Sequence, residues 1–142
     1  MRILVINGPN LNMLGKRDPV VYGTETLSDI NKRIMIKAKE LSVSVSFFQS
    51  NHEGALIDFI QAQCPTANGI IINPGALTHY SWALHDVLKE CQLPVVEVHL
   101  SDISKREPWR KVSVVESIAV KRIMGKKGDG YIEALKFLVN HL

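Results

Sequence analysis

The sequence predicts an α/β fold in which five parallel strands form one sheet covered by helices on both faces. Short apolar runs suited to strands alternate with segments whose apolar residues recur at helical spacing, and this alternation implies right-handed parallel crossovers. A length of 142 residues is the size of one domain around one core, so a single domain over residues 1–142 is expected. Hydrophobic residues at 46% and charged residues at 22% are ordinary globular values, far from the profile of a disordered chain.

The first strand is Arg2–Asn7, an unbroken apolar run that suits a central strand covered on both sides. Residues 8–26 form a long loop rich in Gly, Pro and Asn. Behind Thr26, with Asp29 completing a capping box, Leu27, Ile30, Ile34, Ala38 and Leu41 mark the inner face of the first long helix. Residues 43–48 read as the second strand, and Ser50 with Glu53 reads as a second capping box ahead of a helix carrying Leu56, Phe59 and Ile60. Residues 69–72 give the third strand, 78–91 the third helix and 95–98 the fourth strand. A charged loop follows at 101–111, a fifth strand is expected within 117–123, and Gly128-Asp129-Gly130 opens a last helix with Ile132, Leu135, Leu138 and Leu142 inward. The result is a flavodoxin-like, doubly wound sheet of order 2-1-3-4-5. In such sheets ligands bind beyond the carboxyl ends of the strands.

Charge and composition exclude several classes of function. Seventeen Lys and Arg against 14 Asp and Glu leave a formal charge of +3, scattered along the chain, which gives no support to nucleic-acid binding. The densest basic stretch, Lys121-Arg122 with Lys126-Lys127, reads as solvated surface. No apolar run approaches the ~20 residues that cross a bilayer, and MRILVING lacks the features of a signal peptide, so no membrane association and a cytoplasmic location are expected. Cys64 and Cys91 have no CxxC and no flanking His cluster, and read as buried thiols within helices. There is no G-x-G-x-x-G after the first strand, no P-loop and no H-E-x-x-H, so neither a nucleotide cofactor nor a metal is expected. Asn7, not Asp, ends the first strand, which argues against the acidic pocket of a phospho-receiver.

The strand ends are polar. They run into NGPNLN (7–12), QSNHE (49–53), NPGA (73–76) and EVHLS (97–101), and converge as one crevice of amides, hydroxyls and imidazoles, with Arg17 and Arg110 available from loops. That set suits a small anionic ligand bearing several hydroxyls. Gly8, Pro9, Pro74 and Gly75 read first as turn formers, whereas Asn10 and Asn73 are open between turn and ligand roles. Glu97 and His99, two apart on a strand, share a face while Val96 and Val98 take the other. The pair is either a structural ion pair in the sheet or a carboxylate orienting a general acid or base. Either way Glu97 needs a partner, because an unpaired buried carboxylate costs several kcal/mol. Gly15 and Gly23 bracket a segment that reads as a lid, and within it Arg17 and Tyr22 can be brought close. At ~4 Å and an effective dielectric of ~20 the cation favours tyrosinate by up to ~4 kcal/mol. An exposed loop Tyr near a surface Arg is the plainer alternative, and on the residues alone it stands ahead.

The segments NGPNLNMLGKRDPVVYG (7–23), FQSNHEG (48–54), INPGALTHYSWALHD (72–86), EVHLSDISKREPWR (97–110) and GDGY (128–131) together resemble the type II 3-dehydroquinate dehydratases in order and spacing, over nearly the whole chain. The resemblance implies conversion of 3-dehydroquinate to 3-dehydroshikimate in the shikimate pathway, without metal or organic cofactor, in a homododecamer built of trimers. It assigns Tyr22 as the base at C2, Arg17 as the group holding it as tyrosinate, and Asn10 as holder of a water that stabilises the enolate. It makes His99 the proton donor to the leaving C1 hydroxyl, oriented by Glu97, with Asn73 on the same hydroxyl. Leu100 and Ser101 hold the carboxylate, and His79 and Arg110 the ring hydroxyls, while Asp86 reaches a neighbouring subunit's site. Leu77, Tyr80, Trp82, His85, Asp102 and Lys127 depart from the residues usual in the family; Asp102 puts a carboxylate beside the anion site, where it opposes binding unless it points away or is paired. A flavodoxin-like module for FMN is the competing reading of another class, with Tyr22, Tyr80 and Trp82 as ring partners, although no Ser/Thr-rich phosphate loop follows the first strand. A non-catalytic homologue is a third.

Overall fold

In a computed structural model, which describes residues 1–16 and 18–142 and only the backbone of Tyr22, five strands form one sheet of order β2-β1-β3-β4-β5, every pair parallel. These are β1 (Arg2–Asn7), β2 (Ser44–Gln49), β3 (Gly69–Asn73), β4 (Val95–His99) and β5 (Lys121–Met124). The helices are α1 (Pro19–Tyr22), α2 (Leu27–Glu40), α3 (Glu53–Gln63), α4 (Trp82–Cys91) and α5 (Asp129–His141). The predicted class and strand order hold. β1 lies between β2 and β3 with Ile3, Leu4, Val5 and Ile6 wholly buried, as its unbroken apolar run requires.

The strands' alternation divides the core. Ile3, Val5, Ile71, Val96 and Val98 face α2 and α5, where Ile30, Ile34, Leu135 and Leu138 meet them. Leu4, Ile6, Ile70, Ile72 and Val95 face α3 and α4 through Leu56, Ile60, Leu84 and Leu88. Glu97 and His99 therefore project on the α3/α4 side, opposite Val96 and Val98.

The capping box at α2 is present: the Thr26 hydroxyl accepts from the Asp29 N–H at 3.1 Å, and the Asp29 carboxylate from the Thr26 N–H at 3.1 Å. The one expected at α3 is not. His52 precedes that helix, Ser50 accepts from the His52 N–H, and Glu53 accepts from the Ser81 hydroxyl at 2.5 Å, tying the start of α3 to the start of α4. Residues 78–91 are not one helix, because a 3₁₀ turn at Gly75–His79 precedes α4, which begins where the Ser81 hydroxyl accepts from Leu84 N–H. β5 lies four residues later than the start expected for it, since Glu116–Ile118 is a 3₁₀ turn. In α5 Tyr131 is wholly buried along with Ala134, Leu135 and Leu138, whereas Ile132 is half-buried and Leu142, just after the helix, is exposed. The loop 8–26 contains a 3₁₀ turn at Leu11–Met13 and α1, which the Asp18 carboxylate caps through Val20 N–H.

Cys64 begins the 3₁₀ turn after α3 and Cys91 ends α4; both are half-buried, not buried. Desolvation, together with Cys64, pushes the Cys91 thiol up to about 12, which leaves it protonated and unreactive. Among the described residues no helix is long and apolar enough to cross a membrane, and no group of three or more His, Cys, Asp or Glu is placed to hold a metal.

Candidate active site

The ends of β1 and β3 are the floor of the site, and they approach so closely that two glycines are required. A Cβ on Gly8 would lie 2.3 Å from the Pro74 carbonyl oxygen, and one on Gly75, whose φ is +61°, 2.8 Å from that of Pro9. These residues are more than turn formers, because a side chain at either would part the two loops. Beneath them lies a buried amide network. The Tyr131 hydroxyl donates to Asn7 Oδ1 at 2.5 Å and accepts from Asn73 Nδ2 at 3.2 Å, while Asn73 Oδ1 accepts from Gly75 N–H at 3.1 Å. Burial pushes the Tyr131 phenol up, so it stays neutral and can donate. With its oxygen and one N–H engaged, Asn73 has its second N–H left to present to the cleft as a donor.

Asn73, His79, His99, Leu100, Ser101 and Arg110 line one open cleft at the carboxyl ends of β3 and β4, with about 370 Å³ of empty space, open solvent included. Leu11, Gly75, Ile103 and Arg106 complete its wall. Arg106 was not singled out from the sequence, although it lies within the 97–110 motif, four residues before Arg110.

Glu97 is wholly buried behind His99 and accepts from His99 Nε2 at 2.5 Å. The Ser113 hydroxyl lies 2.9 and 3.0 Å from its two oxygens, and Arg122 Nε 3.4 Å from Oε2. Desolvation opposes the charge on Glu97, but the His99 hydrogen bond and the fields of His99 and Arg122 outweigh it, so the carboxyl is held below its ordinary range. A carboxylate can only accept, hence His99 Nε2 carries a hydrogen and Nδ1 is the nitrogen left for a ligand.

His79 is fixed differently. Its Nδ1 lies 2.6 Å from the Val112 carbonyl, so Nδ1 bears the hydrogen, and Trp109 meets the ring edge-on at 5.2 Å. Desolvation depresses its basicity against the Val112 hydrogen bond, with the charges of His99 and Arg110 acting in the same downward sense. A neutral His79 offers Nε2 as an acceptor, suited to a hydroxyl. Arg110 stacks over Trp109 at 4.1 Å and binds Glu107 through Nε, which holds Glu107 below its ordinary range.

Of the remaining nominated residues, Asn10 and Asp86 are not among those lining the cleft. Asn10, with φ of +70°, is exposed; its N–H donates to Asn51 Oδ1 at 2.9 Å, and its side chain does not cap the turn it precedes. Asp86 is exposed on the outer face of α4. Arg17 lies outside the described residues, as does the side chain of Tyr22, so their pairing does too. Tyr80 and Trp82 are each 62% exposed and are not among the residues lining the cleft. Asp102 is turned to its own loop, accepting from Ser104 N–H at 3.0 Å and from its hydroxyl at 2.5 Å, with Lys105 Nζ at 4.0 Å. It is paired, and not among the cleft-lining residues. Arg122 departs from the solvated-surface reading, being an inward partner of Glu97.

A family model described as dehydroquinase class II matches residues 1–139. A 3-dehydroquinate dehydratase from Halothermothrix orenii is 55% identical over 139 residues, 98% of this chain and 94% of that protein. One from Roseiflexus castenholzii is 52% identical over 139 residues, 98% of this chain and 88% of that protein. The crystal structure of type II dehydroquinase from Butyrivibrio crossotus aligns with a TM-score of 0.94 at 44% identity, over 97% of each chain.

Proposed function

The chain belongs to the class II dehydroquinase family, and from that premise we propose that it dehydrates 3-dehydroquinate to 3-dehydroshikimate within the shikimate pathway, by anti elimination through an enolate. The observation that carries the reading is the buried carboxylate behind His99 at the mouth of a cleft with two arginines in its wall. In this reading Tyr22, held as tyrosinate by Arg17, removes the proton at C2. The negative charge passes to the ketone oxygen, where a water on Asn10 stabilises it. His99, protonated, gives its proton to the C1 hydroxyl as the C–O bond breaks, and water leaves. Glu97 stays a carboxylate throughout and stabilises the imidazolium that the step consumes.

The binding roles follow the chemistry of each donor. Asn73 presents an N–H to the C1 hydroxyl, neutral His79 accepts from a ring hydroxyl and Arg110 holds another, while Leu100 and Ser101 with the cationic wall receive the carboxylate. Asp86, on an outer face, is assigned to a neighbouring subunit's site in a homododecamer of trimers. The whole chain, 1–142, acts as one catalytic domain in the cytoplasm, with no resident cofactor or metal.

Ultraviolet absorbance of the conjugated enone tests the reading directly. Purified protein is expected to generate it from 3-dehydroquinate, and His99→Ala to lower kcat by about 10² to 10⁴ while the fold persists. Tyr22→Phe is expected to abolish turnover at every pH, whereas Arg17→Met regains part of its rate at high pH. Wild-type protein that leaves 3-dehydroquinate unchanged refutes the proposal, and a folded His99→Ala variant with normal turnover refutes its acid.

A further inference from the structure

Glu97 and Arg122 are direct partners in the β4–β5 register, so both side chains rise from the same face of the sheet. Arg122 is largely enclosed, and its Nε is buried without a hydrogen-bond partner, 3.4 Å from Glu97 Oε2. It therefore meets the carboxylate as a charge more than as an aligned donor. Its other end, NH1, reaches Glu116 at 3.2 Å. The result is a row of alternating charge, Glu116, Arg122, Glu97 and His99, leading from the surface to the cleft. Ser113 braces the row, since Val115 and Glu116 donate their N–H groups to its hydroxyl at 3.2 and 3.1 Å, leaving its proton for Glu97.

We propose that Arg122 is a positioning residue of this site: from the neighbouring strand it fixes the Glu97 carboxylate as the acceptor of His99 and offsets part of its charge, so that the imidazolium releases its proton readily. The inference rests on the acid role given to His99. A carboxylate alone would stabilise imidazolium strongly and make it a reluctant donor; a cation on the far side of that carboxylate weakens the hold. The same cation disfavours protonation of Glu97 itself, so the pair cannot collapse to two neutral groups. His79, Arg106 and Arg110 also face His99 across the cleft, and Asp102 lies within the field of Arg122. All of these are unchanged when Arg122 alone is replaced.

The test reads His99 directly, through its imidazole titration by NMR in the unliganded protein, beside the pH profile of kcat/KM. Arg122→Met is expected to raise the His99 pKa by about one unit, a tenfold change in proton affinity, and to carry the basic limb of the profile upward with it. Arg122→Lys is expected to restore most of the shift. A residue that only braced β5 would lower stability and leave the His99 titration where it was, so a folded Arg122→Met variant with an unmoved titration overturns the proposal. Glu116→Gln supplies the same test at an exposed site, should Arg122→Met fail to fold. It frees more of the Arg122 charge for Glu97 and is expected to move the His99 pKa down by about 0.2 units or more, and no movement is equally fatal. Wild type without dehydratase activity refutes the proposed function instead, and leaves the titration to decide the Arg122 coupling on its own.

Discussion

Glu97→Gln keeps the outline of the side chain and removes its charge, which sets two magnitudes against each other. The imidazolium of His99 loses a carboxylate in direct hydrogen-bond contact. At ~4 Å between charge centres and an effective dielectric of ~20, that interaction is up to ~4 kcal/mol, or about three pKa units. Arg122 already cancels part of it, so the expected fall in the His99 pKa is about one to two units. The basic limb of kcat/KM then moves down, opposite in sign to Arg122→Met. The stability cost comes from Arg122, left facing a neutral amide with Glu116 as its remaining counter-charge. Breaking a fully buried pair costs about 3–5 kcal/mol; with Arg122 still paired at its outer end, about 2–3 kcal/mol is expected. The pH dependence identifies the source. Glu97 titrates below its unfolded value of ~4.3 in the folded protein, so its contribution is complete above that value and is lost as pH falls through the folded pKa. Urea unfolding of wild type and variant should therefore differ fully at pH 7 and converge below about pH 4. Parallel curves across that range, or an unmoved basic limb, would refute the assignment of Glu97 as the charged support of His99.

Tyr131→Phe should cost about 2–4 kcal/mol in urea unfolding, since it strands the Asn7 carbonyl oxygen and one Asn73 N–H in a dry core, and should raise KM by loosening Asn73; a loss under 0.5 kcal/mol would sink the network. Lys127 sits at φ +52°, in the left-handed region, so Lys127→Gly should gain about 0.5–1 kcal/mol, whereas a measured loss would mean that its stem packed beside Gly23 outweighs the backbone relief. Asp86→Ala should impair substrate binding in assembled protein and, mixed with His99→Ala, should regain some active sites; mixtures that never recover activity exclude a cross-subunit role.

The parts of the fold legible in the sequence are those set by local periodicity. Ile30, Ile34 and Ala38 recur at helical spacing and are the buried face of α2, and the Thr26–Asp29 box stands because its partners are three residues apart. Ser50 and Glu53 have the same spacing but fail, because Ser81 donates a stronger, partly buried hydrogen bond to Glu53 from across the layer. The start of α4 differs from the expected one for another reason: Thr78 is buried within the 3₁₀ turn that follows β3, and the cap that opens the helix is the Ser81 hydroxyl on Leu84 N–H.

The site divides along the same line. Glu97 and His99 are two apart on one strand, so their shared face follows from the pleat alone. Their support does not. Arg122 lies 25 positions beyond Glu97, across three 3₁₀ turns whose lengths no local pattern fixes, and a one-residue slip in the β4–β5 register would turn its side chain to the opposite face of the sheet. Beside Lys121 it reads as half of a surface pair, and only the register separates them, with Arg122 opposite Glu97 and Lys121 opposite Val96. Tyr131 was hidden in the same manner, since GDGY reads as the opening of a helix and its phenol meets Asn7 only when residues 124 positions apart are brought together. The groups proposed to touch substrate stand out in the sequence by being polar at strand ends, although Asn7 in the same position is structural. The groups that hold them are spaced by tertiary register, and substitutions at Arg122 and Tyr131 therefore test the fold's contribution to the chemistry more directly than substitutions in the cleft.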